Sequence, residues 1–296
     1  MSGVTHTQSE IAAQPECWRT AAAMGREAAD LPRRGERVAV VGCGTSWFMA
    51  KAYAALRERS GHGLTDHFAA SEMPLDRDYD RVVAITRSGT TSEVIDVVRR
   101  LDRATVAITA THDAPIHEVA EKLIVLDFAD ESSIVQTRFA TSTLALLRAH
   151  LGQEIEPVIA DGQRALGEPL PPSLEDREQF TFLGRGWTIG LADEAALKLR
   201  EASQSWTEPY PAMEYRHGPA SITSARSAVW FFGEPPPGLV AEVERIGALA
   251  VTSDLDPMAD LVRAHRLAVA LALARGLDPD RPRNLDRSVV LEQSQV

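Results

Sequence analysis

Short apolar runs alternate along the chain with stretches in which apolar positions recur at helical spacing. Residues 38–41, 81–86 and 105–109 are short, apolar and rich in β-branched side chains, which is typical of buried strands. After the second run, apolar side chains from Val94 to Leu101 recur at the spacing of one helix face. Strands that alternate with helices predict an α/β fold with a parallel sheet.

The same alternation restarts in the second half of the chain. Residues 167–173 (GEPLPPS) contain three prolines, which have no amide donor and disfavour helix in the residues before them. This segment therefore predicts a domain boundary. Beyond them, predicted strands at 180–183, 228–232 and 249–252 alternate with helices, one of which covers 260–275. The sequence therefore predicts two α/β halves. The predicted parts are an N-terminal helical segment at 1–30, a first domain at 31–166 and a second domain with a C-terminal tail at 174–296.

Composition and charge narrow the class of protein. The 296 residues are 44% hydrophobic and carry a formal net charge of −11, so a broad basic surface for nucleic acid is not expected. The cysteines and histidines show no CxxC or HxxxH spacing, which argues against a structural zinc site. No stretch approaches the roughly 20 apolar residues of a membrane span, and a signal-peptide pattern is absent. We expect a soluble cytoplasmic protein that binds neither nucleic acid nor membrane.

Two predicted strands end in turns with small and hydroxyl-bearing residues. The first turn reads GCGTS at 42–46 and the second reads TRSGTT at 86–91. Backbone amides at the start of a helix, together with side-chain hydroxyls, suit a phosphate monoester. Helix capping by the same serines and threonines is the alternative. Rossmann and P-loop sites are disfavoured, because GCGTSW lacks the third glycine of GxGxxG and no lysine stands where a P-loop needs one.

Three charged residues lie on one face of a predicted helix. Glu194, Lys198 and Glu201 are spaced i, i+4 and i+7. A solvated Glu–Lys stripe is one interpretation of this spacing, and a catalytic acid–base group is the other. The segment that follows, 208–219 (EPYPAMEYRHGP), is predicted to be a rigid loop that presents two carboxylates and the imidazole of His217.

Six ordered motifs resemble the sugar isomerase (SIS) domain family over nearly the whole chain. The resemblance is greatest to the isomerase half of glucosamine-6-phosphate synthase and to the stand-alone aminosugar-phosphate deaminases and deglycases. It implies two SIS-type subdomains, each a parallel sheet flanked by helices. The motifs are VGCGTS at 41–46, ITRSGTTSE at 85–93, ESSIVQTRFAT at 131–141, EAALKLREAS at 194–203, EYRHGP at 214–219 and DRPRNLDRSV at 280–289.

The resemblance implies a role for each residue that matches a family motif. Glu201 matches the base that moves a proton between C1 and C2, with Lys198 as its neighbour and Glu194 as a supporting carboxylate. His217 matches the residue associated with ring opening, whose loop comes from the partner subunit in the synthase; this implies a homodimer with shared sites. The residues implied to hold the phosphate are Thr45, Ser46, Thr86, Arg87, Ser88 and Thr91, and those implied to line the sugar are Ile134, Gln136 and Arg287.

The chain departs from the synthase pattern in three places. We expect no glutamine hydrolysis by this chain alone, because the sequence shows no glutaminase domain and no N-terminal catalytic cysteine. Arg87 stands where the synthase has glutamine, and its charge is expected to strengthen phosphate binding. Arg287 stands where the synthase has a lysine able to form a Schiff base with the ketose, which a guanidinium does not do.

The expected function is that of an aldose-ketose isomerase of the glucosamine-6-phosphate deaminase type, which releases ammonia and a ketose phosphate and needs no metal or redox cofactor. Alternatives within the enzyme class are a fructosamine-6-phosphate deglycase and an isomerase-type partner of a glutamine-dependent synthase. The alternative from another class is a non-catalytic module that senses a phosphosugar. A sensor needs the phosphate turns but not the charged helix face, so retention of Glu194, Lys198, Glu201 and His217 favours an enzyme.

Overall fold

The computed structural model describes residues 3–292, which form two compact units. The five-strand unit comprises residues 16–131, 138–155 and 286–292, and the four-strand unit comprises residues 3–15, 132–137 and 156–285. In chain order the helices and strands are α1 (His6–Glu27), β1 (Val38–Gly42), α2 (Thr45–Arg59), β2 (Thr65–Ala69), β3 (Arg81–Ile85), α3 (Ser92–Arg100), β4 (Thr105–Thr109), α4 (Ile116–Val119), β5 (Lys122–Val125), α5 (Arg138–His150), α6 (Glu156–Gly167), β6 (Gln179–Gly184), α7 (Thr188–Ser203), β7 (Trp206–Pro211), β8 (Ser227–Phe232), α8 (Leu239–Ile246), β9 (Leu249–Val251) and α9 (Pro257–Ala274).

A parallel sheet forms the centre of the five-strand unit. Its strand order is β2-β1-β3-β4-β5, with Val38 of β1 paired to Thr65 on one side and to Arg81 on the other. Every residue of β1 and β4 is buried, as expected for parallel strands covered on both faces. The apolar side of α3, including Val94 and Val97, packs on one face. Because β1 and β3 are parallel neighbours, the turns that follow them lie at the same edge of the sheet.

A second parallel sheet, with the order β7-β6-β8-β9, organises the four-strand unit. All residues of β6 and β8 are buried, and Phe182, Trp230 and Phe232 pack with ring centroids 6.2 to 6.4 Å apart. Asp260 of α9 accepts hydrogen bonds of 2.7 Å from Trp230 Nε1 and from Arg263 Nη1. Burial raises the pKa of this carboxyl group, and the two donors oppose that effect. The long apolar helix α9 is therefore tied to the sheet by a satisfied buried polar group.

The predicted α/β class with two parallel sheets is confirmed, and β4 has the predicted bounds. The strand pattern misses β2, because this half-exposed edge strand reads TDHFA and lacks an apolar run. The loop prediction for 208–219 is wrong at its start, where residues to Pro211 belong to β7. Pro209 and Pro211 fit this strand because it lies at the edge of its sheet. The predicted domain boundaries stay a prediction.

The N-terminal helix α1 is anchored by a residue far away in sequence but in the same unit. Oδ1 of Asp280 accepts hydrogen bonds from Thr7 N (2.7 Å) and Thr7 Oγ1 (2.6 Å), and Oδ2 accepts one from His6 N (2.9 Å). A carboxylate at a helix N-terminus satisfies amides that have no intrahelical partner and interacts favourably with the helix dipole. Across residues 3–292, no helix combines the length and the apolar character needed to cross a bilayer.

Candidate active site

The first predicted phosphate turn joins β1 to α2. The helix begins at Thr45 after Gly44, which has a φ of 53°. A Cβ on Gly42 would lie 2.8 Å from the backbone of Ser46, so the close approach of strand end and helix start requires glycine there. Thr45 and Ser46 are buried, and no side chain of the described residues caps this helix. The amide of Ser46 donates a hydrogen bond of 3.1 Å to the carbonyl oxygen of Cys43, so within the described chain the first-turn amides left for a ligand or for water are those of Thr45 and Trp47.

The second predicted phosphate turn joins β3 to α3 and has a more constrained backbone. Ser88 Oγ accepts hydrogen bonds from Thr90 N (3.2 Å) and Thr90 Oγ1 (2.9 Å), which closes the turn on itself. Gly89 has a φ of 65°, and a Cβ there would meet Ala114 at 2.7 Å. Thr91, the residue before α3, makes no side-chain cap. These contacts hold the turn in place, and the amide of Ser92 at the helix start donates a hydrogen bond of 3.2 Å to the carbonyl oxygen of Val289.

Thr86 contributes a buried hydroxyl group at the end of β3. Its Oγ1 atom is inaccessible to solvent and has no hydrogen-bond partner among the described residues. A buried polar atom without a partner is costly, so such atoms mark sites where a ligand or an ordered water completes the structure. The hydroxyls of the two turns do not cap their helices, in contrast to Asp256, which accepts a bond of 2.9 Å from Met258 N at the start of α9. The capping alternative is therefore wrong for these two turns.

Arg87 lies in the second turn, but its guanidinium group is already engaged within the same unit. The side chain is buried, with Nη1 3.7 Å from Glu131 Oε2 and Nη2 donating a hydrogen bond of 3.1 Å to the carbonyl oxygen of Arg287. Glu131 in turn accepts a bond of 2.8 Å from the amide of Arg138 at the start of α5. The guanidinium of Arg87 thus holds the C-terminal segment beside the turn, and a role in phosphate binding stays a prediction.

The C-terminal segment runs beside this second turn. Arg287 donates hydrogen bonds to Asp130 Oδ1 (2.5 Å) and to the carbonyl oxygen of Glu131. Ser288 Oγ accepts a bond of 2.9 Å from Thr90 Oγ1, so the segment is tied to the turn at two successive residues. Arg287 is predicted to line the sugar, and its guanidinium group is hydrogen-bonded to Asp130. A contact between Arg287 and the substrate stays a prediction.

The charged face of α7 is buried. The side chains of Glu194 and Lys198 are 0% and 1% exposed, and that of Glu201 is 17% exposed. Lys198 Nζ lies 3.6 Å from Glu194 Oε1 and 2.5 Å from Glu201 Oε2. The solvated-stripe interpretation is therefore wrong for Glu194 and Lys198. Charged groups are rarely buried unless they are paired, and a buried row of this kind is typical of a functional site.

Glu201 also opens onto a surface depression of about 370 Å³ in the same unit. The depression is formed by the end of α7 and by the segment at 283–285. Glu201 thus combines a buried cation partner with access to solvent, which Glu194 and Lys198 lack. This is the arrangement that a general base needs, because it must be held in place and still reach the substrate. The residues around the depression are Arg200, Glu201, Gln204, Ser205, Arg283, Asn284 and Leu285.

A histidine that the sequence does not single out faces the same charged row. His265 of α9 is fully buried, and its Nδ1 lies 3.3 Å from Nε2 of Gln14. Burial, with a smaller contribution from the charge of Lys198, lowers the pKa of His265 to about 3. The imidazole is therefore neutral at physiological pH. A single histidine within an apolar helix carries no sequence signal that would distinguish this position.

His217 lies on an exposed turn of the four-strand unit. Tyr215 anchors this turn, because its side chain is buried and its hydroxyl group forms a hydrogen bond of 2.7 Å with the hydroxyl group of Thr223. Arg216 next to it donates two hydrogen bonds to Glu242, at 2.9 and 2.7 Å. The predicted rigidity of this part of the 208–219 loop follows from these contacts, while the His217 side chain stays open to solvent.

The remaining predicted residues, Ile134 and Gln136, belong to the short segment 132–137 of the four-strand unit. The amide of Ile134 donates a hydrogen bond of 3.1 Å to the carbonyl oxygen of Asp280, and Gln136 Oε1 is buried without a partner among the described residues. Each is half-buried, and a role in lining the sugar stays a prediction. Within residues 3–292, no group of three or more histidine, cysteine, aspartate and glutamate side chains is arranged to hold a metal ion.

Two parallel sheets, hydroxyl-rich turns after neighbouring strands and a buried Glu–Lys–Glu row are the features that the resemblance to the SIS family leads one to expect. No protein-family model matches the chain. The resemblance to the SIS family is nevertheless confirmed by similarity to individual proteins. Among curated proteins, the chain is 28% identical to an isomerizing glutamine–fructose-6-phosphate aminotransferase of Pyrobaculum aerophilum, over 96% of this chain and 57% of the relative. The corresponding protein of Sulfolobus acidocaldarius is 26% identical over 86% of this chain and 50% of the relative.

The chain therefore spans about half the length of the curated relatives it matches. Among solved structures, it is similar to a glucosamine-6-phosphate deaminase of Thermotoga maritima, with 25% identity, a TM-score of 0.80 and coverage of 97% of this chain and 100% of that one. The C-terminal domain of a glucosamine-fructose-6-phosphate aminotransferase of Francisella tularensis shares the fold, with a TM-score of 0.82, 19% identity and coverage of 95% and 99%. The chain is thus similar in sequence to curated aminotransferases and to a solved deaminase, and it shares its fold with both kinds of protein.

Proposed function

We propose that this protein is a phosphosugar isomerase that acts on an aminosugar phosphate and releases its nitrogen, in a reaction of the glucosamine-6-phosphate deaminase type. The observation that carries the proposal is the position of Glu201, which is bonded to the buried Lys198 and opens onto a surface depression. A protein that only binds a phosphosugar does not require the buried charged row of Glu194, Lys198 and Glu201. The solved deaminase similar to this chain over nearly its whole length supports the same reaction class.

The two turns of the five-strand unit would hold the phosphate group. They offer the amides of Thr45 and Trp47 at the start of α2 and the buried hydroxyls of Thr45, Ser46, Thr86 and Ser88. Each helix start contributes about half a positive charge, so a dianion is favoured at this edge even without a lysine. The partnerless Thr86 hydroxyl would donate to a phosphate oxygen.

Glu201 would carry the proton transfer. With the sugar ring open, the carboxylate takes the proton from C2 and returns it to C1, so that C1 is reduced and C2 is oxidised within the same molecule. The resulting imine carbon adds water, the C–N bond breaks, and ammonia leaves with a proton while a ketose phosphate remains. Because the electrons stay within the substrate, the step needs no external oxidant. Lys198 would fix the orientation of the Glu201 side chain through the contact of 2.5 Å between Nζ and Oε2.

His217 would assist ring opening by moving a proton between the ring oxygen and the C1 hydroxyl group. Its exposure in the single chain fits the homodimer that the family resemblance implies, in which this turn serves the partner's site. Two apolar side chains near it in sequence, Trp206 (63% exposed) and Met213 (47% exposed), are available for such an interface.

The proposal is tested by replacing the base. In a coupled assay with glucosamine 6-phosphate that follows ammonia and fructose 6-phosphate, Glu201→Gln is expected to lower kcat by roughly 10²- to 10⁴-fold, the usual contribution of a general base. Affinity for fructose 6-phosphate, measured by calorimetry, is expected to change less than threefold. Glu244→Gln, an exposed carboxylate of α8, is the matched control and should retain full activity. Undiminished turnover by Glu201→Gln would reject the assigned base.

A further inference from the structure

The N-terminal helix α1 carries a row of polar side chains that are buried. Thr7, Glu10 and Gln14 are spaced i, i+3 and i+7, so they lie on one face of the helix. Their exposed fractions are 1%, 3% and 0%. Side chains of these types are mostly exposed in proteins, because burial of a polar group costs free energy unless a partner compensates for it. The row therefore indicates that this face of α1 holds specific polar groups.

Glu10 binds the backbone of the short segment 132–137, which belongs to the same unit. Its Oε1 atom accepts hydrogen bonds from the amides of Ser132 (2.6 Å) and Ser133 (3.3 Å), and its Oε2 atom accepts one from Ser133 Oγ. Hydrogen bonds from amides to a carboxylate are charge-assisted and stronger than those between neutral groups. The carboxylate of Glu10 therefore fixes the position of the start of this segment.

This buried carboxylate is used differently from others in the protein. The carboxylates of Glu131, Glu194 and Asp260 are also buried, and each lies 2.7 to 3.7 Å from a basic side chain. Glu10 is bonded instead to amides and a hydroxyl group, whose hydrogen bonds require a particular distance and angle. The contacts of Glu10 thus suit the placement of a backbone segment.

The segment that Glu10 holds contains two of the residues that are predicted to line the sugar. Burial alternates along it, with Ser133 and Val135 buried and Ile134 and Gln136 half-buried. Glu10 binds a residue of the buried set, so its contacts leave the other set accessible. The Oε1 atom of Gln136 has no hydrogen-bond partner among the described residues, so it can accept a hydrogen bond from a sugar hydroxyl group.

A second contact ties the same segment to the wall of the depression at the end of α7. The amide of Ile134 donates a hydrogen bond of 3.1 Å to the carbonyl oxygen of Asp280, whose carboxylate is bonded to Thr7. Residues 283–285, which follow shortly after Asp280, line the depression. Thr7 and Glu10 lie about one helical turn apart. One face of α1 thus holds both the predicted sugar-lining segment and the chain that leads into the depression.

We propose that Glu10 is a positioning residue for substrate binding, whose carboxylate holds the segment 132–137 so that Ile134 and Gln136 contact the sugar. The inference rests on the proposed function, because it requires a phosphosugar as the ligand. Glu10 itself touches no substrate and moves no proton. Loss of its hydrogen bonds is therefore expected to weaken binding of the sugar and to leave the proton transfer by Glu201 largely unchanged.

Two conservative variants separate the reach of the Glu10 side chain from its charge. Glu10→Asp keeps the charge and shortens the side chain by one methylene group, so the carboxylate no longer reaches both amides. Glu10→Gln removes the charge and keeps an oxygen acceptor at the same distance from the backbone. Glu16→Asp makes the first of these changes at an exposed position of α1 and is the matched control.

Binding of fructose 6-phosphate is measured by calorimetry at 25 °C, and turnover of glucosamine 6-phosphate is measured with the coupled assay. In Glu10→Asp, Kd and KM are expected to rise about tenfold, while kcat changes less than threefold. In Glu10→Gln and in Glu16→Asp, all three constants are expected to stay within threefold of the wild-type values. A tenfold change corresponds to about 1.4 kcal/mol, the order of one hydrogen bond to a charged group.

Three results would overturn the inference. If both Glu10 variants weaken binding equally, the charge matters and the position of the acceptor does not. If Glu10→Asp lowers the melting temperature but leaves Kd and KM unchanged, Glu10 serves the fold alone. If kcat falls while KM stays the same, Glu10 acts on the proton transfer. Should Glu10→Asp not fold, Ser133→Ala removes one of the three hydrogen bonds and is expected to raise Kd about threefold, and an unchanged Kd would contradict the inference.

Failure of the proposed function gives a different result. If the wild-type chain binds fructose 6-phosphate but does not turn over glucosamine 6-phosphate, the proposed function fails. The Kd values of the Glu10 variants then decide the inference by the same criteria. If glucosamine 6-phosphate is turned over and the variants do not differ, the inference fails and the proposed function stands. A wild-type chain that neither binds the first compound nor turns over the second contradicts both.

Discussion

Replacement of Lys198 by methionine is expected to destabilise the four-strand unit strongly. Methionine keeps the apolar length of the side chain and removes the ammonium group that lies 3.6 Å from Glu194 and 2.5 Å from Glu201. At an effective dielectric constant of about 20, Coulomb's law gives roughly 5 kcal/mol for unit charges 3.6 Å apart. Loss of one partner from a buried ion pair typically costs about 3 to 5 kcal/mol.

We expect Lys198→Met to lower the free energy of unfolding by about 3 to 5 kcal/mol at pH 7.5. Most of the loss comes from Glu194, because Glu201 is partly exposed and water screens its charge. The measurement is urea unfolding at 25 °C followed by tryptophan fluorescence.

A control variant and a double variant test whether the loss of stability comes from the uncompensated charge of Glu194. Lys122→Met changes an exposed lysine of β5 and should alter stability by less than about 0.5 kcal/mol. The double variant Glu194→Gln/Lys198→Met removes the charge that Lys198 compensates and should recover a large part of the loss. A loss below 1 kcal/mol in Lys198→Met, or a double variant no more stable than the single one, would refute the argument that buried charge compensation holds this row.

Two other changes test single buried groups. Thr86→Val replaces the partnerless hydroxyl group by a methyl group of the same shape, so the free energy of unfolding is expected to stay the same or rise by about 1 kcal/mol. Affinity for fructose 6-phosphate is expected to fall about tenfold. Thermal unfolding and calorimetry measure the two effects, and unchanged affinity would contradict the assigned role of the hydroxyl group. Because burial lowers the pKa of His265 from 6.5 to about 3, its neutral form stabilises the fold above pH 6.5, and this stability is lost as the pH falls toward 3. Between pH 6.5 and 4.5 the loss should amount to about 2 kcal/mol, because the slope approaches about 1.36 kcal/mol per pH unit only below the unfolded-state pKa. His265→Gln should flatten this part of the stability profile measured by urea unfolding, and an identical slope in both proteins would contradict the assignment.

Much of the fold could be read from local pattern. Central strands such as β1 and β4 are apolar along their whole length, because both of their faces are covered. The edge strands β2 and β7 escape the same pattern, since a half-exposed strand tolerates polar residues and proline. Sequence spacing also places Glu194, Lys198 and Glu201 on one helix face, but the same spacing fits a solvated helix equally well.

Several contacts in the candidate site join residues that are far apart in sequence, and the pattern along one segment does not predict them. The guanidinium of Arg87 is a predicted phosphate ligand, yet it lies against Glu131 and the carbonyl oxygen of Arg287, which is 200 residues away in sequence. His265 meets Gln14 across 251 residues, and no spacing along the chain relates the two. The depression beside Glu201 likewise depends on Arg283, which follows a different helix.

The amino-acid sequence by itself determined where the buried central strands lie and which residues share a helix face, because these follow from the pattern of apolar positions along one segment. It also carried the ordered motifs from which the SIS resemblance follows. Only the tertiary structure decided that Glu194 and Lys198 are buried, that Thr86 lacks a hydrogen-bond partner within the described chain, and that Arg283 opens beside Glu201. Burial and charge pairing are set by segments that meet only when the chain packs, and they determine what the same side chains can do chemically.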